Sequence, residues 1–121
     1  MNKKQRVTGI RGATTAAGNI ADEIHLATRE LLMELVKANE IETDQIAAIF
    51  FSATPDLNSA FPAKAARDMG WLNVPLFCQV EIDVPGSVPR CIRVLILLNT
   101  ELEQDQVKHV YLKETVGLRE L

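Results

Sequence analysis

Residues 91–99, CIRVLILLN, are the segment that most restricts what this chain can fold into. Branched and apolar side chains follow one another there with no glycine or proline, which predicts a β-strand. One residue breaks the run. Arg93 is charged, and burying a charge alone is costly. It needs a partner or a water-facing pocket, unless it sits at a strand end open to solvent. A second run, IAAIFF at 46–51, is too apolar for a half-exposed strand. It predicts a central strand covered on both faces.

That second run leads into SATPDLNSAFPAKAAR, residues 52–67. A turn-rich loop with Thr54, Pro55, Asp56 and Asn58 precedes Phe61, Pro62 and two cations, Lys64 and Arg67. A helix starting near Pro62 places those cations on one face. Strand, loop and basic helix start can together meet a small anion. The plainer reading is an ordinary loop followed by a solvated helix. Gly70 is a natural stop for that helix, with Trp71 and Leu72 covering the core behind it.

The remaining elements follow from periodicity. Residues 5–12, QRVTGIRG, read as a first strand with Arg11 at its end, as a surface arginine or an anion contact. Asn19 is a suitable N-cap, with Asp22 three residues on in a capping-box position. Ile20, Ile24, Ala27, Leu31 and Leu35 recur at helical spacing and predict an amphipathic helix over 20–38. Asp22 and Glu23 suit its positive end and Lys37 the other, while His25 reads as surface decoration. Residues 74–82 form a strand whose Pro75 belongs at an edge or a start. Residues 83–90 are a loop, and 107–114 alternate as a last strand with His109, Tyr111 and Lys113 on one face. Tyr111 is then a core-edge aromatic or a hydroxyl donor to a ligand. The order β-α-β-α-β-β-β predicts an α+β domain with a mixed sheet and helices on one face. The bare face favours self-association.

Composition narrows the function. A chain of 121 residues fits one domain, 1–121, and buries a sizeable core without staples. Its net charge of −3 argues against a general nucleic-acid or anionic-membrane binder. A locally basic pocket still allows an anionic small molecule. Cys78 and Cys91 show no metal-ligand spacing and read as small buried hydrophobes, with a single disulfide the alternative. The N-terminal MNKKQRV lacks the apolar core of a signal peptide, and no run is long enough to span a membrane. A cytoplasmic protein is expected. No nucleophile, nucleotide or dinucleotide pattern is present. What stands out is a set of cations, Arg11, Lys64, Arg67, Arg93 and Arg119, with Glu81 and Tyr111. That set suits a compact polycarboxylate whose charge shifts during reaction.

Five blocks carry a resemblance over nearly the whole chain: IRGATTA (10–16), SATPDL with FPAKAAR (52–67), VP…C..E (74–81), CIRV (91–94), and HVYL followed by LR (109–119). In this order and spacing they resemble the AroH-type monofunctional chorismate mutases. The resemblance implies a homotrimeric pseudo-α/β-barrel with active sites between subunits. It implies conversion of chorismate to prephenate, a Claisen rearrangement without cofactor, metal or covalent intermediate. Arg93 would face the ether oxygen, where negative charge develops. Arg11 and Tyr111 would hold the enolpyruvyl carboxylate, and Glu81 with Cys78 the ring hydroxyl. Phe61 and Ala63 would wall the pocket, with Leu76, Phe77 and Leu118 contributing contacts. Phe77 stands where a smaller residue is the family habit. Lys64 and Arg67 would reach in from a neighbouring chain, and Arg119 would belong to a closing tail. The alternative is a non-catalytic trimeric module that binds a small carboxylate.

Overall fold

The computed structural model describes residues 4–118. Five strands and two helices alternate in the expected order: β1 (Arg6–Thr15), α1 (Ala21–Asn39), β2 (Ile46–Ala53), α2 (Ala63–Asp68), β3 (Leu76–Val80), β4 (Cys91–Thr100) and β5 (Val110–Tyr111). The strands form one mixed sheet in the order β3-β2-β4-β1-β5. β4 runs antiparallel to both β1 and β2, while β3 and β5 pair in parallel at the two edges. The apolar run that first suggested a strand is therefore the middle of the sheet.

Both helices lie on one face. Leu31, Leu32 and Leu35 of α1 and Ala66 of α2 join Ile10, Ile49, Phe51, Val94, Ile96 and Leu98 in one buried core. Those strand residues alternate, so the intervening positions all point away from the helices. This corrects the expectation for β2. Its burial alternates, with Ala47, Ala48, Phe50 and Ser52 only partly covered. The physical reason is that both helices pack on the same side, so an apolar run has one dry face and one wet one. Phe50 and Phe77 meet edge to face on the wet side, ring centres 6.1 Å apart.

Local signals explain most boundaries. Helix α1 buries Ile24, Ala27, Leu31 and Leu35 as the spacing requires, with Asp22 and Glu23 in its first turn and Lys37 in its last. Its N-cap is Ile20 rather than Asn19, and no side chain caps it. Asn19 is used elsewhere: its Oδ1 accepts the backbone N–H groups of Asn58 and Ser59, each at 3.0 Å. It ties the start of α1 to the loop after β2. His25 is half buried, and its Nε2 is buried without a hydrogen-bond partner, so it is not surface decoration. Gly70 ends the α2 turn with a φ of +90°, a conformation open to glycine. Trp71 is buried behind it, but Leu72 is exposed.

The last strand is much shorter than the alternation over 107–114 suggests. Only Val110 and Tyr111 pair with β1. Lys113 has a φ of +54°, which turns the chain into a short 3₁₀ segment, Lys113–Thr115. Conversely, β1 continues through Thr15, so Arg11 lies within a strand and not at its end.

Candidate functional site

Strand register assembles the site. Tyr111 of β5 stands opposite Ala13 of β1, Ala13 opposite Arg93 of β4, Arg93 opposite Ser52 of β2, and Ser52 opposite Gln79 of β3. Residues directly opposed across a ladder share a face. This row therefore crosses all five strands on the wet side. The adjacent row is Arg11, Leu95, Phe50 and Phe77. Ala13 is the small member between Tyr111 and Arg93. A hollow of about 370 Å³ opens there, lined by Arg11, Arg93, Tyr111 and Leu118. A second hollow of similar size continues over Phe50, Ser52, Gln79 and Leu95.

Glu81, just beyond the end of β3, answers the problem posed by Arg93. Its Oε2 lies 3.2 Å from Arg93 Nε and accepts a 2.9 Å hydrogen bond from Ser52 Oγ. Its Oε1 accepts the backbone N–H of Ile82 at 3.1 Å. The arginine is roughly half exposed, so it is neither stranded in the core nor free to swing. A carboxylate charge close to one edge of a planar fork favours one orientation of the guanidinium.

The rest of the hollow hangs from β1. Arg11 donates its backbone N–H to His109 Nδ1 at 2.9 Å. The carbonyl of Ala13 accepts from the Leu112 N–H at 2.9 Å and from the Thr115 hydroxyl at 3.0 Å. These bonds hold the chain around Tyr111, and the turn that follows it, against β1. Gly12 makes the close approach feasible. A Cβ there would meet Leu35 Cδ1 at 2.8 Å and the Val110 carbonyl oxygen at 3.2 Å.

The loop after β2 braces the start of β4. Thr54 exchanges bonds with Cys91: its N–H donates to the Cys91 carbonyl and its Oγ1 accepts the Cys91 N–H. Asp56 accepts the Arg90 N–H at 2.9 Å, and Arg90 is held at a φ of +49°. Burial would raise the Asp56 carboxyl, but the hydrogen bonds from Thr54 and Arg90, with the Arg90 charge, hold it below the usual carboxylate value. The ATPD segment thus fixes the strand that carries Arg93.

The other expected residues, Phe77 excepted, gather on the opposite side of the sheet. Cys78 pairs with Phe51, which faces the helices. Burial pushes its thiol up, partly countered by the Ala63 backbone N–H and the Arg67 charge. Phe61 and Cys78 line a hollow of about 470 Å³ beside the loop. Leu76 packs against the core, and Phe77 lies on the wet face against Phe50. Lys64 is paired with Asp68 at 2.9 Å on the exposed side of α2. The chain brings Arg11, Glu81, Arg93, Tyr111 and Leu118 together. It brings Phe61, Ala63, Arg67 and Cys78 together separately. It does not bring Cys78 to Glu81. Arg119 lies outside the described residues.

Sequence reasoning left Ser52 and Ala13 without roles. Both belong to quoted blocks, but only the register across strands shows that they flank Arg93. Cys78 and Cys91 are free thiols. Among the described residues no group of three potential metal-ligating side chains occurs.

Comparison with known proteins agrees with this geometry. The family model described as chorismate mutase type I matches residues 7–120. The chain is 54% identical to chorismate mutase AroH of Thermus thermophilus over 114 residues, 93% of each chain. It is 43% identical to chorismate mutase AroH of Bacillus subtilis (strain 168) over 114 residues, 93% of this chain and 90% of that one. Among solved structures, a chorismate mutase from Clostridium thermocellum superposes with a TM-score of 0.87 at 50% identity. That match covers 88% of this chain and 96% of the other.

Proposed function

The chain belongs to the type I chorismate mutase family and converts chorismate to prephenate; from that premise we propose how its own residues do so. A carbon–oxygen bond of the enolpyruvyl ether breaks while a carbon–carbon bond forms in the same molecule. Charge moves onto the ether oxygen as the first bond lengthens. Arg93 is the cation that meets it, stabilising the transition state more than the ground state. The observation that carries this assignment is the Arg93 guanidinium gripped by Glu81 inside the hollow it shares with Arg11 and Tyr111. A cation already oriented needs no reorganisation when the charge appears.

Arg11 and Tyr111 take the enolpyruvyl carboxylate, and Glu81 takes the ring hydroxyl. Leu118 adds an apolar contact. The remaining contacts come from a second chain. Phe61 and Ala63 wall the pocket with Leu76 and Phe77 beside them, Cys78 joins Glu81, and Lys64 and Arg67 favour the ring carboxylate. Phe77 apart, the two groups lie on opposite faces of one sheet, so a single chain cannot close both on one small molecule. The apolar wet face, with Phe50, Phe77 and Leu95 partly open, supports the same reading. A homotrimer, its sheets facing a shared barrel-like centre, covers that face and completes three sites. Together the groups hold chorismate in the compact conformer that reacts. No cofactor takes part in this scheme. Residues 1–121 act as one chorismate mutase domain, and a cytoplasmic setting suits its water-soluble dianionic substrate. No described helix is long and apolar enough to cross a membrane.

The test follows chorismate loss by ultraviolet absorbance. Wild type should turn over well above the spontaneous rate, and Arg93→Ala should not while remaining folded. Retained turnover removes Arg93 from this role. Mixing inactive Arg93→Ala and Arg67→Ala chains should restore some activity, because mixed trimers contain intact sites. No recovery after verified subunit exchange counts against sites shared between chains.

A further inference from the structure

We propose that Ser52 is a positioning residue for this reaction, holding the Glu81 carboxylate in the orientation that grips Arg93. The inference rests on the reading of Arg93 as the cation at the ether oxygen.

Glu81 lies past Val80, the last residue of the edge strand β3, where its ladder with β2 ends. Its backbone N–H still reaches the Ala53 carbonyl at 2.8 Å. The carboxylate then folds back over the sheet, and three groups meet it: Arg93 Nε as an ion pair and the Ser52 hydroxyl as a hydrogen-bond donor on Oε2, and the Ile82 N–H as a donor on Oε1. Of these, only Ser52 is both a side chain and short. It rises from a paired strand directly opposite Arg93, and it has one heavy-atom rotor.

Arg93 and Glu81 are long side chains, respectively 45% and 26% exposed. A partly exposed ion pair of that kind is weak and samples several geometries. The Ser52 hydroxyl ties the pair to the strand and turns it into a three-member network with one arrangement. Ser52 donates a hydrogen bond to the carboxylate and is assigned no contact with a reacting atom. Its effect should therefore fall on the transition state, where the direction of the guanidinium matters, and little on substrate affinity.

The experiment compares kcat and KM for wild type, Ser52→Ala, Ser52→Thr, Glu81→Ala and the double variant Ser52→Ala with Glu81→Ala. Ser52→Ala should lower kcat about tenfold, the scale of one hydrogen bond to a charged group, with KM within about twofold. Ser52→Thr keeps the hydroxyl and should return kcat to within about threefold of wild type. Once Glu81 is alanine, removing the hydroxyl should change nothing further. Should Ser52→Ala not fold, the near-isosteric Ser52→Cys carries the same comparison. Wild-type kcat in Ser52→Ala, with Arg93→Ala inactive, overturns the proposal. So do equal losses in the presence and absence of Glu81, because Ser52 would then act independently of it. An active Arg93→Ala variant instead overturns the underlying reading of Arg93.

Discussion

Replacing Gly12 by alanine tests how tightly the site is hung on the core. A Cβ at this position would come 2.8 Å from Leu35 Cδ1, 3.1 Å from Leu31 Cδ1 and 3.2 Å from the Val110 carbonyl oxygen. Both leucines are fully buried and have no open space to swing into. The third contact is backbone, on the residue preceding Tyr111. Overpacking of this kind costs about 1–3 kcal/mol. A value near 2 kcal/mol lowers the melting midpoint by about 6–12 °C in a chain of this size. Gly18→Ala is the control: its new methyl would meet only the tip of the Glu23 side chain, at 2.8 Å, which can move aside. That variant should stay within about 2 °C of wild type. Calorimetry at one fixed protein concentration measures all three, since an associating chain melts at a concentration-dependent temperature. Because β5 must shift outward, kcat of Gly12→Ala should also fall, through displacement of Tyr111 from Arg11. A Gly12→Ala midpoint indistinguishable from wild type, or an equal drop in Gly18→Ala, refutes the packing argument.

Other expectations follow from the same geometry. Arg93→Lys should lose about 10²-fold or more in kcat, since an ammonium cannot keep one edge on Glu81 while presenting the rest of the fork; steady-state kinetics decides it. Asp56 is held below its ordinary value, so its stabilising effect is complete above the unfolded carboxylate value and fades as pH falls through the folded one. Denaturant titrations should accordingly show Asp56→Asn less stable than wild type at pH 7, with the gap narrowing below about pH 4; a gap that does not depend on pH counts against it. Leu95→Asp places a charge on the wet face and should weaken self-association in sedimentation velocity, while circular dichroism of the chain stays native. Burial pushes both thiols up, so at pH 8 Cys78 and Cys91 should react with a disulfide reagent more slowly than free cysteine.

The element order could be read from local pattern because each element announces itself within a few residues. Ile24, Ala27, Leu31 and Leu35 repeat at a spacing that only a helix places on one side. Gly70 closes α2, and Pro75 precedes an edge strand, as their backbone chemistry demands. Where reading failed, the deciding contact was distant in sequence. Asn19 looks like a cap but bonds to Asn58 and Ser59, 39 and 40 residues away. The alternation after Val107 looks like a strand, yet the left-handed Lys113 stops it once Ala13 has taken Leu112 and Thr115.

The sequence by itself determined that a β-run carries an arginine needing a partner, that cations outnumber every other candidate chemistry, and that five blocks resemble one family. Only the tertiary structure decided what Arg93 pairs with and on which face. The reason is that side-chain direction in a strand alternates every residue. Which strands lie side by side is set by pairings across 27 to 98 positions, such as Phe51 with Cys78 and Ala13 with Tyr111. Composition and spacing report what a segment buries. They do not report which residue of another strand stands opposite, and that opposition places Ser52, Ala13 and Tyr111 around Arg93 while sending Cys78 to the other side.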